Sequence, residues 1–354
     1  MKKNNGSDPV LKQRKPWEEN ENTVWLASTL SLNRNVEKFK FPMKLDAERE
    51  RQLIGVISKE LMANKYLVKP TLISAEQATP LQKQFLVEHF LTTESFQQAH
   101  AGEAFIIDES GEFLITLNVH DHIHFQLLDV QGELESAWNK LVQIETSLGS
   151  SVNYMFSPKY GFLTADFNQC GTALNAAVFL QVPALVHTEL VDAVLEQLVD
   201  DSFYVTGIQG NPTEIIGDIL VVQNNYTLGI SEENIIANLR AFTTKILVEE
   251  NSTKSKIRHE DNAEIKDRVS RAFGILIHSY QIEAIEALNA ISLLKLGTEL
   301  GWMTGITIKD LNKLFFNCRR AHLLQQCGDV KQEEILHTRA EFIHKTLSNV
   351  KLTI

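Results

Sequence analysis

Residues 111–128 read GEFLITLNVHDHIHFQLL, and residues 103–110 before them read EAFIIDES. Both runs are rich in aliphatic, aromatic and β-branched residues, and Glu109-Ser110-Gly111 between them is a turn signal. A strand-rich block is predicted here. Further on, FYVTGIQGNPTEIIGDILVVQNNYTL (203–228) reads as two strands joined by a loop carrying Gly207, Gly210, Pro212 and Gly217. Between these blocks, FLTADFNQCGTALNAAVFLQVPALV (162–186) is read as a short strand, a polar loop and an Ala-rich apolar helix that stops before Pro183. Strands outnumber helices from about residue 100 to about residue 230 and no βαβ repeat is present, so the predicted fold class is α+β rather than doubly wound α/β.

Toward the N-terminus, TVWLASTLSL (23–32) alternates apolar and small polar residues as a strand does. AERERQLIGVISKELMAN (47–64) carries Leu53, Val56, Ile57 and Leu61 on one helical stripe. Thr79-Pro80 opens a helix in LQKQFLVEHFL, with proline in the first turn, and SAWNKLVQIETSLGS (136–150) is helical. After the polar stretch EENSTKSKIRHEDN (249–262), only helices are predicted: AEIKDRVSRAFGILIHSY, QIEAIEALNAISLLKLGTEL, TIKDLNKLFFNCRRAHLLQQ and KQEEILHTRAEFIHKTLSNV. The expected organisation is a flexible polar tail at 1–20, an α+β domain at 21–250, a linker at 251–262 and an all-helical domain at 263–354.

The formal net charge of −11 excludes a general nucleic-acid binder, which needs a basic surface to displace counterions. It also disfavours docking on anionic lipid, and no apolar run approaches the roughly 20 residues that span a bilayer. MKKNNGSDPVLKQRKPWEEN lacks the apolar segment of a secretory signal. The three cysteines, Cys170, Cys318 and Cys327, form no CxxC pair, which suits a reducing compartment and predicts no cysteine zinc site. Cytoplasmic placement is expected.

One absence is visible in the sequence by itself: no arginine lies between Arg51 and Arg240. The lysines of that stretch (Lys59, Lys65, Lys69, Lys83, Lys140, Lys159) do not cluster in the loop motifs. A polyphosphate site built from these residues would lack the planar, permanently charged forks that phosphates favour.

In order, ATPLQKQFLVEHFLT, LNVHDHIHFQLL, Gly171-Thr172 in FLTADFNQCGTAL, QVPALV, TGIQGNPTEIIGD, YTLGISEENI, DRVSRAFGIL and KLGTELG make the chain resemble bacterial protein-arginine kinases, members of the ATP:guanido phosphotransferase (phosphagen kinase) family. The similarity runs from about Asn22 to about Asn349. It implies an antiparallel sheet flanked by helices, with ATP, Mg²⁺ and a guanidino group in a central cleft, followed by a helical domain used for dimerisation and phosphoarginine sensing. It also implies a zinc-finger activator or a Clp-type unfoldase as protein partners, and a homodimer.

The resemblance places five nucleotide arginines of the family at positions that are here Thr29, Ser31, His124, Asn175 and Thr206. The acidic pair before Asp121-His122 is Val119-His120, and the reactive cysteine is Asp166. A single charge-stabilising arginine is worth about 10³ to 10⁵ in rate, so weak or absent catalysis is expected. Matching positions that remain are Ser28, Arg34, Asn118, Asp121, His122, Gly171, Thr172, Gly207, Gly210 and Glu214. Of these, Ser28, His122, Gly171, Thr172, Gly207 and Gly210 are candidate vestiges of the nucleotide pocket, and Glu214 is the candidate catalytic carboxylate. Arg339 and Ala340 in ILHTRA are the remnant of the phosphoarginine reader, with Arg339 expected in a surface ion pair.

Three further patterns carry alternative chemistry. His120, His122 and His124 would share one face of a strand, a possible zinc set, although filling of vacated pocket space is the favoured reading and no metal is expected. Asp166 with Glu214 would make an acid–base pair, against the simpler reading of solvated loop carboxylates. Cys170 is read as a small buried hydrophobe. The favoured function is a family member that has lost most or all kinase activity and works through protein contacts in protein quality control. The alternatives are an active kinase using substitute residues, and a cleft lined by His120, His124, Asp166 and Asn175 repurposed for another ligand.

Overall fold

Strand β1 (Trp25–Arg34) is hydrogen-bonded along both edges and forms the middle of an eight-stranded sheet. The computed structural model describes residues 8–92, 102–198, 201–328 and 330–354. To one side of β1 lie β5 (Ile123–Asp129), β4 (Phe113–Leu117), β3 (Ala104–Ile107) and β2 (Thr71–Ser74). To the other lie β8 (Leu174–Gln181), β10 (Ile219–Asn224) and β9 (Phe203–Gly207). Every neighbouring pair is antiparallel. Two short ribbons, β6 (Phe156–Ser157) with β7 (Gly161–Phe162) and β11 (Met303–Thr304) with β12 (Lys351–Leu352), stand apart.

The period of two gives the sheet one continuous apolar face. Leu30, Leu32, Phe125, Leu127, Val178, Leu180 and Val222 are buried there, under α1 (Ala47–Met62), α3 (Leu134–Gly149) and α6 (Glu232–His259). Of the stripe read in α1, Leu53, Ile57 and Leu61 are buried and Val56 is exposed. Helix α2 (Pro80–Glu88) starts at a capping box formed by Thr79 and Gln82, with Pro80 in its first turn. A second core joins Leu26, Phe105, Leu114 and Ile219 of the sheet to the C-terminal helices α7 (Ala263–His278), α8 (Ala284–Glu299), α9 (Ile308–Asn317), α10 (Arg320–Cys327) and α11 (Ile335–Leu347). Short α4 (Pro183–His187) and α5 (Val191–Leu198) link β8 to β9. The helical half approaches closely at Gly217, whose φ is 64° and where an added Cβ would stand 2.8 Å from the Phe315 ring.

Four expectations are corrected. Residues 174–181 are strand, not helix. Ala176, Val178 and Leu180 point into the core while Asn175, Ala177 and Phe179 point the other way, and pairing on both edges outweighs the helix preference of alanine. The expected linker is mostly helix: α6 continues to His259, and only residues 260–262 separate it from α7. Its polar composition is a solvated face plus the buried pair Lys254–Glu250, with Lys254 also 2.8 Å from Glu299. The tail is not free from Asp8 onward, because Val10, Leu11 and Trp17 are core residues. Finally, the predicted helix at 307–326 breaks at Cys318-Arg319 into α9 and α10.

Candidate functional site

Opposite the face covered by α1, α3 and α6, the middle of the sheet presents a polar surface. Alternation puts Thr29, Ser31 and Asn33 of β1 on that side, and the registers set Gln126 and Asn175 beside Ser31 and His124 beside Asn33. Four of the five positions singled out as replaced arginines therefore lie together on three adjacent strands. Thr206 is buried on β9, opposite Val221 of β10. The side chains on β1, β5 and β8 satisfy one another. His124 Nδ1–H donates to Asn33 Oδ1 (2.6 Å), Asn33 Nδ2 donates to Gln169 Oε1 (2.7 Å), and Asn175 Nδ2 reaches the same oxygen at 3.4 Å. Ser31 Oγ donates to the Asn175 carbonyl at 3.4 Å. Burial pushes the His124 imidazole down to about 4, so it is neutral near pH 7. The network is uncharged throughout, and no residue of it is lysine or arginine.

Asn33 and Gln169, which hold this network, were not singled out in the sequence. Asn33 was within reach of the period of two that groups it with Thr29 and Ser31. No signal pointed to Gln169, which lies in an irregular loop.

Asp121 and His122 are used to position backbone. Asp121 Oδ1 accepts from Asn35 Nδ2 (2.5 Å) and from the Ala165 amide (2.7 Å), and burial raises its pKa. His122 Nδ1 accepts from the Val36 amide (2.9 Å), which leaves Nε2–H to donate to the Lys40 carbonyl at 2.7 Å. Its own amide donates to Asn35 Oδ1. His120 is exposed and precedes β5, so the three imidazoles do not share a strand face as anticipated. Among the described residues no group of three His, Cys, Asp or Glu is arranged to hold a metal.

Arg34 follows Asn33 in β1, and it is locked. Its Nε pairs with Glu145 at 2.6 Å, Nη1 donates to the carbonyls of Asn33 and Thr172, and the guanidinium lies 3.5 Å over the Phe162 ring. Ser28 faces the helix-covered side, where it accepts from the Trp25 indole at 2.8 Å.

Gly171 and Thr172 pack against the loop that precedes α6. Gly171 has φ 112°, and a Cβ there would meet the Thr227 carbonyl at 2.2 Å. The Thr172 amide donates to that same carbonyl at 2.9 Å. These two residues, with Phe156, Lys159, Phe162, Leu228 and Glu232, line a cleft of about 390 Å³. His120, His124, Asp166 and Asn175 do not line it. Gly207 admits the Glu214 carbonyl, which would stand 1.9 Å from a Cβ, and its amide donates to the Asn211 carbonyl. Gly210 sits at φ 81° in that turn, and Glu214 is exposed. Asp166, also exposed, accepts from the Asn168 amide in a tight turn. Cys170 is buried, as expected.

Arg339 is not on the surface. It is buried on α11, with Nε donating to the Cys318 carbonyl and Nη1 to the Ile282 carbonyl, and Ala340 beside it is in the core. Arg339 therefore ties three helical segments together.

For an ATP-type polyphosphate the polar sheet face supplies hydroxyl and amide groups without a fixed cation. Three clustered phosphates need cations as well as hydrogen bonds, so the residues present do not fit that group.

Residues 53–253 match the family profile described as ATP:guanido phosphotransferase, C-terminal catalytic domain, and residues 262–353 match the protein-arginine kinase McsB C-terminal domain. A protein-arginine kinase of Chlamydia pneumoniae is 34% identical over 337 residues, covering 91% of each chain. One from Bacillus cereus is 32% identical, covering 94% of this chain and 95% of the relative. One from Halothermothrix orenii is 30% identical, covering 90% and 93%. Among solved structures, lombricine kinase superposes with a TM-score of 0.56 at 19% identity, over 70% of this chain and 72% of that one. The duplicated taurocyamine kinase of Schistosoma mansoni gives 0.55 at 19% identity, over 85% of this chain and 49% of that one. These two likenesses speak for the fold alone. With two family profiles spanning most of its length and curated relatives at 30–34% identity, the chain belongs to the protein-arginine kinase family of ATP:guanido phosphotransferases.

Proposed function

We propose that this family member has lost most or all phosphoryl transfer and works through protein contacts in protein quality control. The observation that carries the proposal is the neutral network of Ser31, Asn33, His124, Gln169 and Asn175 on the face where the family resemblance puts the phosphates. Phosphoryl transfer depends on positioning and charge stabilisation rather than on covalent chemistry from the protein. A face that bonds to itself and carries no cation offers neither to a triphosphate. The buried Arg339 supports the same reading for phosphoarginine sensing, since its guanidinium is spent on carbonyls. The proposed partners are those of the family resemblance, a zinc-finger activator or a Clp-type unfoldase, engaged by a cytoplasmic homodimer.

Calorimetric titration of the full chain with Mg-ATP and with ADP tests this directly. No saturable heat is expected at concentrations that fill kinases. Saturable Mg-ATP binding, together with phosphoarginine found by mass spectrometry on a protein substrate and lost in Glu214→Gln, would overturn the proposal in favour of an active kinase using substitute residues.

A further inference from the structure

Residues 8–22 run along a groove walled by α2, α9 and α10. Pro16–Glu19 makes a single 3-10 turn whose Trp17 is fully buried. The indole stacks on Phe316 (centroids 4.4 Å, planes 12° apart) and meets the rings of His89 and His322 edge-on at 4.3 and 4.9 Å. The next two residues are carboxylates facing lysines one helical turn apart on α9: Glu18 lies 3.7 Å from Lys313, and Glu19 lies 2.5 Å from Lys309. The groove then grips main chain. Asn312 Nδ2 donates to the carbonyls of Asn20 and Asn22, and Gln325 Nε2 donates to that of Leu11.

Two features make this contact look like a ligand in a binding site rather than ordinary core. First, its recognition elements are those of peptide docking: an aromatic anchor in a pocket, side-chain amides reading backbone carbonyls, and a basic rim on a chain of net charge −11. Second, the occupant fits imperfectly. Trp17 Nε1, His89 Nδ1 and both ring nitrogens of His322 are buried without a hydrogen-bond partner, and orphaned groups of this kind weaken a contact.

We propose that this groove is a docking site for a segment of another protein bearing an aromatic residue followed by two acidic residues, and that Pro16–Glu19 is its resident intramolecular occupant. A partner segment displaces the strap and takes over the ring pocket, the two lysines and the amide donors of Asn312 and Gln325. The proposal does not depend on whether kinase activity is retained.

The probe is a fluorescein-labelled peptide of residues 8–22, titrated into the full chain and followed by anisotropy. A tethered occupant acts at an effective concentration of about 1 mM. For an intrinsic Kd of about 10 μM, freeing the groove raises apparent affinity about 100-fold. Trp17→Ala in the full chain is expected to bind the peptide that much more tightly than wild type does. A peptide with its own tryptophan changed to alanine is expected not to bind, and adding Lys309→Glu and Lys313→Glu to the protein should weaken binding about tenfold. The double variant Glu18→Lys/Glu19→Lys loosens the strap while keeping the core tryptophan, and is also expected to gain affinity. If either variant, with native circular dichroism, binds the peptide no better than wild type, the proposal fails. A wild-type dimer that Trp17→Ala dissolves would also overturn it, since the occupant would then be the strap of a second copy.

Discussion

Replacing His322 by phenylalanine should make the protein more resistant to acid. His322 on α10 is fully buried, edge-on to Phe85 at 4.4 Å and to Trp17 at 4.9 Å, with neither ring nitrogen bonded. His89 lies 5.9 Å away, and its Nε2 is 2.9 Å from the Gly111 carbonyl. Burial pushes His89 down to about 3 and His322 well below the usual range, and the positive charges of Arg319 and Lys15 act in the same direction. Glu88 accepts from the Ala321 and His322 amides and is itself shifted up by burial. A histidine whose folded pKa lies below its unfolded value of about 6.5 takes up a proton on unfolding at lower pH. Its stabilising share is complete above about pH 6.5 and is lost as the pH falls. Between about pH 7 and about pH 5 each histidine gives up about 1.9 kcal/mol, so the pair gives up about 4 kcal/mol. Phenylalanine keeps the edge-on packing and removes one titrating group, which cuts the loss to about 2 kcal/mol. Relief of the orphaned N–H adds about 1–3 kcal/mol at neutral pH. Urea unfolding by far-UV circular dichroism at the two pH values measures both effects. A folded His322→Phe protein with the same acid loss as wild type, and no gain at neutral pH, would refute the argument.

Lys295→Met should remove a rise in stability on the alkaline side. Lys295 Nζ is buried between Gln181 Oε1 (3.0 Å) and Asn312 Oδ1 (2.7 Å), and burial holds it at about 7 against about 10.4 unfolded; wild type should therefore gain about 2.5 kcal/mol from about pH 7.5 to about pH 9.5, and the variant should not, by urea unfolding. Arg34→Lys should lower the free energy of unfolding, measured in urea, by about 2–4 kcal/mol, because lysine cannot pair with Glu145, bond two carbonyls and stack on Phe162 at once. Gly217→Ala should cost clearly more than Gly210→Ala, about 2–4 against about 1 kcal/mol. Both glycines are left-handed, but only at Gly217 does the new methyl meet a ring.

The parts of the fold legible in the sequence were those where one local pattern dominates. The alternation of TVWLASTLSL gave β1, the glycine- and proline-bearing loop inside 203–228 gave the pair β9 and β10, and the stripe of AERERQLIGVISKEL gave α1. Where local preference and tertiary environment disagree, the reading went astray. LNAAVFLQ is alanine-rich and helix-like as an isolated segment, yet it is strand because β1 and β10 offer it two edges. The segment 251–259 looks like a linker because charge counts cannot separate a solvated lysine from Lys254, whose charge is answered by Glu250 and Glu299. The arginine-free stretch was visible by inspection. What replaced it was not, because Gln169 joins Asn33 and Asn175 across more than one loop and strand.

The residues that match the family pattern and those on the polar sheet face do different jobs. Asp121, His122, Arg34 and Arg339 spend their polar groups largely on main chain or on each other's supports: an alanine amide, a valine amide, and the carbonyls of Lys40, Thr172, Cys318 and Ile282. Gly171 and Gly207 are required by carbonyls that stand within 2.2 and 1.9 Å of where a Cβ would be. All of these are demands of the fold, and they hold whether or not a nucleotide ever binds. Thr29, Ser31, His124 and Asn175 lie on the polar face, where a side chain can change from arginine to a small neutral group without disturbing the backbone beneath it. Sequence identity and superposition are therefore weighted toward the first group and nearly blind to the second. A match over nearly the whole length therefore says little about the charge at Thr29, Ser31, His124 and Asn175, so activity has to be decided at that face and not by the match.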